Sequence, residues 1–185
     1  MICTDTIINE KKRLRAELLA RRKALTEEYM RAAGESIQDK LLSSELYASV
    51  ESIFVYVSMP EEPPTARIIS RALAEGKNVY APKCEGKTML AVRIRSINDL
   101  KPGKLGIPEP EIDGDIKTAD ELGLIIAPCV AASEDGRRLG HGGGYYDRFL
   151  NQERENTVCL CFKELLCEDI PVDENDVRMK HIITE

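Results

Sequence analysis

"SIFVYVSMPEEPPTARIISRALAEGKNVYAP", residues 52–82, is the stretch that decides the fold. Its first eight residues (52–59) are an apolar, β-branched run, the pattern of a strand covered on both faces. A helical segment (65–76) follows, with Thr65 as its N-cap and Gly76 as its terminator. "NVYAP" (78–82) then reads as a second strand. Strand, helix and strand within roughly thirty residues make the parallel crossover unit.

The same alternation continues downstream. "MLAVRIRS" (89–96), "LGLIIAP" (122–128), "TVCLCF" (157–162) and "MKHIITE" (179–185) read as strands, and a helix starts near Tyr145. Upstream, Leu14, Leu18 and Leu25 recur at helical spacing over 9–25. Thr26 caps a second helix that runs to about Ser43, with Glu27 and Glu28 in its first turn. The expected fold is therefore α/β: a three-layer sandwich around a largely parallel, Rossmann-like sheet, with the N-terminal helical pair packed on it. At 185 residues the expectation is one domain over 1–185.

Composition narrows the function. With 43% hydrophobic and 31% charged residues the chain is an ordinary globular one, and its net charge of −6 argues against nucleic acid as a partner. No run of about eighteen apolar residues is present to span a membrane. The N-terminus lacks an apolar run followed by a small-residue cleavage site, so a cytoplasmic protein is expected, and a monomer is expected as well. The six cysteines sit mostly in apolar runs, and no Cys-x-x-Cys occurs; they read as reduced, buried thiols.

One segment demands more than packing. "RRLGHGGGYYDRFL" (137–150) holds four of the twelve glycines in five positions, followed at once by two tyrosines and a charge pair. Three adjacent glycines exceed what a single turn requires. Between a strand and a helix they let backbone amides approach phosphate oxygens. The dinucleotide fingerprint fails here, because its last glycine falls on Tyr145, and the P-loop pattern fails as well. "APKCEGKT" (81–88) resembles a P-loop, but its first glycine is Ala81 and a strand follows it, so a hairpin turn explains it. Asp147 either caps the new helix or holds Mg²⁺ beside phosphates. Tyr145 and Tyr146 are core aromatics or a stacking wall. Lys11, Arg15 and Arg22 form a basic stripe on the first helix, either a solvated face or an anion site. The loop "KPGKLGIPEPEIDGD" (101–115) is long for a connector, as functional loops often are.

With these residues in view, "RLGHGGGYYDRFL" resembles the 5-formyltetrahydrofolate cyclo-ligases, also called 5,10-methenyltetrahydrofolate synthetases. "KKRLRAELLARRKAL" (11–25), "VSMPEEPPT" (57–65), "LGIPEP" (105–110) and "PVDENDVRMKHIITE" (171–185) resemble further segments of that family, in the same order. The glycine motif is highly specific; the others are individually weak. The resemblance implies ATP- and Mg²⁺-dependent conversion of 5-formyltetrahydrofolate to 5,10-methenyltetrahydrofolate, with small molecules as the only partners. It implies that Lys11, Lys12, Arg13, Leu14 and Arg15 bind ATP, together with Arg138, Leu139, Gly140, His141, Gly142, Gly143, Gly144, Tyr145 and Tyr146. It implies that Arg15, Val57, Glu62 and the stretch from His141 to Tyr145 contact the folate, and that Asp147 and Asp176 hold Mg²⁺. Lys11, Arg15, Tyr145 and Asp147 are then the catalytic set.

Two departures stand out. Ala132 replaces a phenylalanine common before the glycine loop, which is expected to loosen the pocket wall, and His141 occupies a variable position. The alternative is a non-catalytic nucleotide- or folate-binding relative, free to lose Lys11, Arg15, Glu62, Tyr145 or Asp147; all five are present.

Overall fold

The computed structural model describes residues 4–103, 106–112 and 114–185. Met1 to Cys3, and Lys104, Leu105 and Asp113 of the 101–115 loop, lie outside the described residues, so part of the "LGIPEP" segment does too.

Two long helices open the chain, α1 (Thr4–Lys23) and α2 (Glu27–Leu42). As expected, Thr26 caps α2: its hydroxyl accepts from the Tyr29 amide, and Ser43 closes the helix. A four-residue helix α3 (Glu45–Ala48) precedes β1 (Ser52–Val55), α4 (Ala66–Ala74), β2 (Asn78–Glu85) and β3 (Thr88–Ile94). The long loop carries its own ladder, β4 (Leu100–Pro102) with β5 (Pro108–Pro110), before β6 (Ile116–Lys117) and β7 (Leu124–Ala127). A short hairpin, β8 (Ala131–Ala132) with β9 (Arg138–Leu139), leads to α5 (Tyr145–Leu150), β10 (Arg154–Leu160) and β11 (Met179–Ile183).

The main sheet has seven strands in the order β11-β10-β7-β1-β2-β3-β6. β11, β10, β7, β1 and β2 are mutually parallel, and β3 turns back antiparallel to β2. The Gly86-Lys87 pair makes that turn, as the hairpin reading of "APKCEGKT" required. Counted along the chain, the parallel strands run 2-1-3-4-5, the doubly wound order. The chain leaves β1 toward one edge and β7 toward the other. Right-handed crossovers then put α4 and α5 on opposite faces of the sheet. Accordingly Ile53, Phe54 and Val55 of β1 and all four residues of β7 are fully buried.

Phe54 faces α5, 4.9 Å from the Phe149 ring and 6.0 Å from the Tyr146 ring. α2 contributes Ala33, Ile37 and Leu41 to this main core. α1 packs elsewhere. Leu14, Leu18 and Leu19 sit on a second cluster with Val130, Ala131, Leu139 and Ile170, so α1 rides on the β8–β9 hairpin that introduces the glycine loop. Burying Leu18 contributes roughly 2 kcal/mol to that attachment.

Two local expectations are corrected. The Thr65 hydroxyl does not cap α4; it donates to the Tyr56 carbonyl at 2.7 Å and accepts from the Ser58 amide. It ties the end of β1 to the start of α4 instead. Ala132 is no part of a pocket wall either. It is fully buried, pairs with Arg138 and bridges to Leu166, so its small side chain is accommodated by core packing.

Candidate active site

In a doubly wound sheet, the strands on either side of the order reversal diverge and leave a crevice at their carboxyl ends. Here that point lies between β1 and β7. A cleft of about 1430 Å³ opens there, lined by Tyr56 and Val57 beyond β1 and by Pro128 beyond β7. Sites for one small ligand usually measure about 300–1,000 Å³. The cleft has room for two.

The segment after β1 presents Glu62. Its backbone is a closed turn: the Glu62 amide donates to the Met59 carbonyl, the Met59 amide donates to Glu62 Oε2 at 2.9 Å, and the Tyr56 hydroxyl donates to the Pro63 carbonyl. The carboxylate is buried, with its other oxygen 3.2 Å from His141 Nε2 on the glycine loop. Burial without a full set of partners makes such a carboxylate a strong acceptor for paired N–H donors. Met59, Met89 and Ile107 add apolar surface on this side, and Glu109 is fixed there by Lys83 at 3.1 Å and the Cys84 amide.

The glycine loop forms the other side. Gly142 and Gly144 have φ of +98° and +63°, the left-handed region that favours glycine. Gly143 has a different need: a Cβ there would meet the Tyr145 ring at 2.8 Å. Three successive glycines therefore serve two backbone reversals and one close aromatic contact. The loop is anchored from both ends. Arg15 Nε donates to the Gly140 carbonyl at 2.7 Å, and Arg148 donates to the Gly143 carbonyl while its guanidinium lies over the Tyr145 ring. Tyr145 and Arg148 also donate to Gly86 and Lys87, which docks the β2–β3 turn on α5.

Asp147 and Asp176 both line the cleft. Asp147 Oδ1 accepts from the buried Arg138 guanidinium at 2.8 Å and from the Val177 amide at 3.2 Å. Asp176 Oδ2 accepts from Lys11 and from the Asp173 amide. Among the described residues no hydrogen bond reaches Asp147 Oδ2 or Asp176 Oδ1, so each carboxylate offers one uncommitted oxygen. Mg²⁺ is usually held by one or two carboxylates plus waters and substrate phosphates, and this donor set fits it. Burial alone would lower the Lys11 pKa; hydrogen bonds and charges from Asp173 and Asp176 outweigh it and hold the ammonium above its ordinary value. The Lys11 ammonium in turn holds the Asp173 carboxyl below its usual range.

The N-terminal run divides by helical phase. Lys11, Lys12 and Arg15 line the cleft, one turn beyond Ile8. Arg13 and Leu14 do not; at 100° per residue they face away, Arg13 to solvent and Leu14 into the second core cluster. Arg22 also departs from the expected stripe. Two turns past Arg15 it is buried and donates to the Cys129 carbonyl. The remaining expected positions, Val57, Glu62, Arg138 through Tyr146, Asp147 and Asp176, all line the cleft. Asp173 and the sheet-side residues Met89, Ile107 and Glu109 were not anticipated.

Comparison with known proteins accords with this geometry. The profile of the 5-formyltetrahydrofolate cyclo-ligase family matches residues 7–185. A mouse protein named 5-formyltetrahydrofolate cyclo-ligase is 32% identical over 97% of this chain and 96% of its own. A Caenorhabditis elegans protein named as a probable 5-formyltetrahydrofolate cyclo-ligase is 36% identical over 82% of this chain and 81% of its own. Among solved structures, Aquifex aeolicus 5,10-methenyltetrahydrofolate synthetase matches with a TM-score of 0.81 at 28% identity, covering 94% of this chain and 88% of that one.

Proposed function

The chain belongs to the 5-formyltetrahydrofolate cyclo-ligase family, and from that premise we propose that it joins ATP and 5-formyltetrahydrofolate in the cleft and closes the folate to 5,10-methenyltetrahydrofolate, releasing ADP and phosphate. The observation that carries this reading is the division of one large cleft. A buried carboxylate and apolar side chains line its sheet side, and cations, glycine amides and two carboxylates line its loop side.

The formyl group is an amide, with a weakly electrophilic carbon and an oxygen that leaves poorly. Transfer of the γ-phosphoryl group breaks its bond to the ADP oxygen and makes one to the formyl oxygen. N10 then attacks the formyl carbon and the ring closes, its proton passing to water or to the departing phosphate. The C–O bond breaks as phosphate leaves. Such a sequence needs alignment and charge neutralisation more than a strong base.

Each group in the cleft has a part in this. Glu62 accepts hydrogen bonds from the amino-pyrimidinone edge of the pterin, and Val57 and Met59 pack against the ring. The amides of Gly142 to Tyr145 approach the phosphates, Lys11 and Arg15 neutralise them, and Arg15 also braces the loop through Gly140. Asp147 and Asp176 hold Mg²⁺, which supplies charge neutralisation on the triphosphate when bound. Arg138 is buried against Asp147 and acts by fixing that carboxylate.

The test is an absorbance assay with 5-formyltetrahydrofolate and Mg·ATP. The conjugated methenyl product absorbs in the near ultraviolet, and growth of that signal only with ATP present is expected. Folded protein that binds ATP and gives no signal contradicts the reading.

A further inference from the structure

The Lys11 ammonium has two carboxylate partners, and only one of them belongs to the proposed metal pair. Asp176 Oδ2 takes Lys11 and, at 2.6 Å, the Asp173 amide. Asp173 Oδ2 takes Lys11 at 2.6 Å. The other Asp173 oxygen is held by the Asn175 amide and side chain at 2.9 and 3.2 Å, and the Asp176 amide returns to the Asp173 carbonyl. The orientation of the Asp173 carboxylate is thus set within its own turn and does not depend on Lys11.

On the reading given above, Asp176 offers its uncommitted Oδ1 to a divalent cation while Oδ2 still faces Lys11. A divalent cation on one oxygen repels the ammonium on the other and draws charge from the carboxylate they share, so the hold of Asp176 on Lys11 weakens when the metal binds. A freed lysine on a four-carbon stem has many rotamers and little reason to stay in the cleft. We propose that Asp173 is the positioning residue that keeps Lys11 at the cleft edge when Asp176 engages the metal. One ammonium hydrogen stays on Asp173, and the other two face the nucleotide phosphates. Asp173 touches neither nucleotide nor folate; it acts through Lys11.

The experiment uses the full chain, titrated with Mg·ADP by calorimetry. Asp173→Asn keeps the acceptor that Asn175 uses and removes the charge that Lys11 uses. It is expected to weaken Mg·ADP binding roughly tenfold, the scale of one hydrogen bond to a charged group. Affinity for 5-formyltetrahydrofolate should stay at its wild-type value, and the thermal midpoint should fall only slightly, by the loss of one part-buried ion pair. In a Lys11→Met background the same substitution should change Mg·ADP binding by less than about twofold, because its partner is gone. Equal Mg·ADP affinity in wild type and Asp173→Asn overturns the proposal. So does an equal loss in both backgrounds, which would mark a structural role. Wild-type protein that binds 5-formyltetrahydrofolate but no Mg·ADP overturns the nucleotide reading and this proposal with it.

Discussion

The sheet side and the loop side of the cleft hold their polar groups in opposite ways. On the sheet side, Glu62 is fixed by a turn of its own making, and its surroundings are strand ends buried in the main core. On the loop side, cations and carboxylates from distant segments satisfy one another: Lys11 with Asp173 and Asp176, Arg138 with Asp147, Arg15 with a glycine carbonyl. On the proposed reading, the first arrangement suits an apolar ligand with a paired-donor edge, and the second, in which cations and carboxylates pair with one another, admits an anionic ligand and its metal by exchange of partners. The difference teaches that substitutions on the two sides should fail differently: affinity for folate on one, metal, phosphate and stability on the other.

The largest effect is expected at Asp147. Asp147→Asn should reduce turnover by roughly 10²–10³-fold, the scale for losing a group that stabilises transition-state charge, with a shifted Mg²⁺ dependence in steady-state kinetics. Asparagine is the informative replacement. Asp147→Ala also strips the buried Arg138 of its carboxylate and should destabilise the fold, which confuses the two losses.

Next comes Arg138→Met, which leaves Asp147 without its cation. It should lower stability by about 3 kcal/mol in urea denaturation. A change below about 0.5 kcal/mol would show that this pair is not holding the loop side together. On the sheet side, Glu62→Gln should raise KM for 5-formyltetrahydrofolate roughly tenfold and leave KM for Mg·ATP near its wild-type value. A parallel rise in both would erase the distinction between the two sides.

The smallest effect belongs to the contact that crosses the cleft. His141→Ala frees one Glu62 oxygen, and KM for the folate should fall by about two- to threefold, the scale of a single weak contact whose histidine side is solvent-exposed. A large loss of turnover would instead assign His141 a direct part in the chemistry.

Legibility in the sequence followed the same division. The loop side stood out because glycines, arginines and an acid crowd into a few residues, "RRLGHGGGYYDR" (137–148), more than a turn or a helix start requires. The core strands were legible from their unbroken apolar runs, and the α2 cap from Thr26. Arg22 was misjudged because helical spacing alone cannot distinguish an arginine facing a cleft from one buried against the Cys129 carbonyl, beyond the end of β7. Thr65 looks the same in sequence whether its hydroxyl caps α4 or clasps β1. Met89 reaches the cleft through the place of β3 beside β2, and Ile107 and Glu109 through the packing of the 101–115 loop onto that hairpin; the length of the loop marked the segment, but the residue types gave no hint of which side chains face the cleft. Asp173 is the clearest case: its partner lies 162 residues away.

The central claim is that ATP activates the formyl oxygen in this cleft. It is tested most directly with 5-formyltetrahydrofolate carrying ¹⁸O in the formyl group, followed by mass analysis of the phosphate released during turnover. The account predicts one formyl-derived oxygen in each phosphate. Unlabelled phosphate, with the label appearing in water, would contradict it.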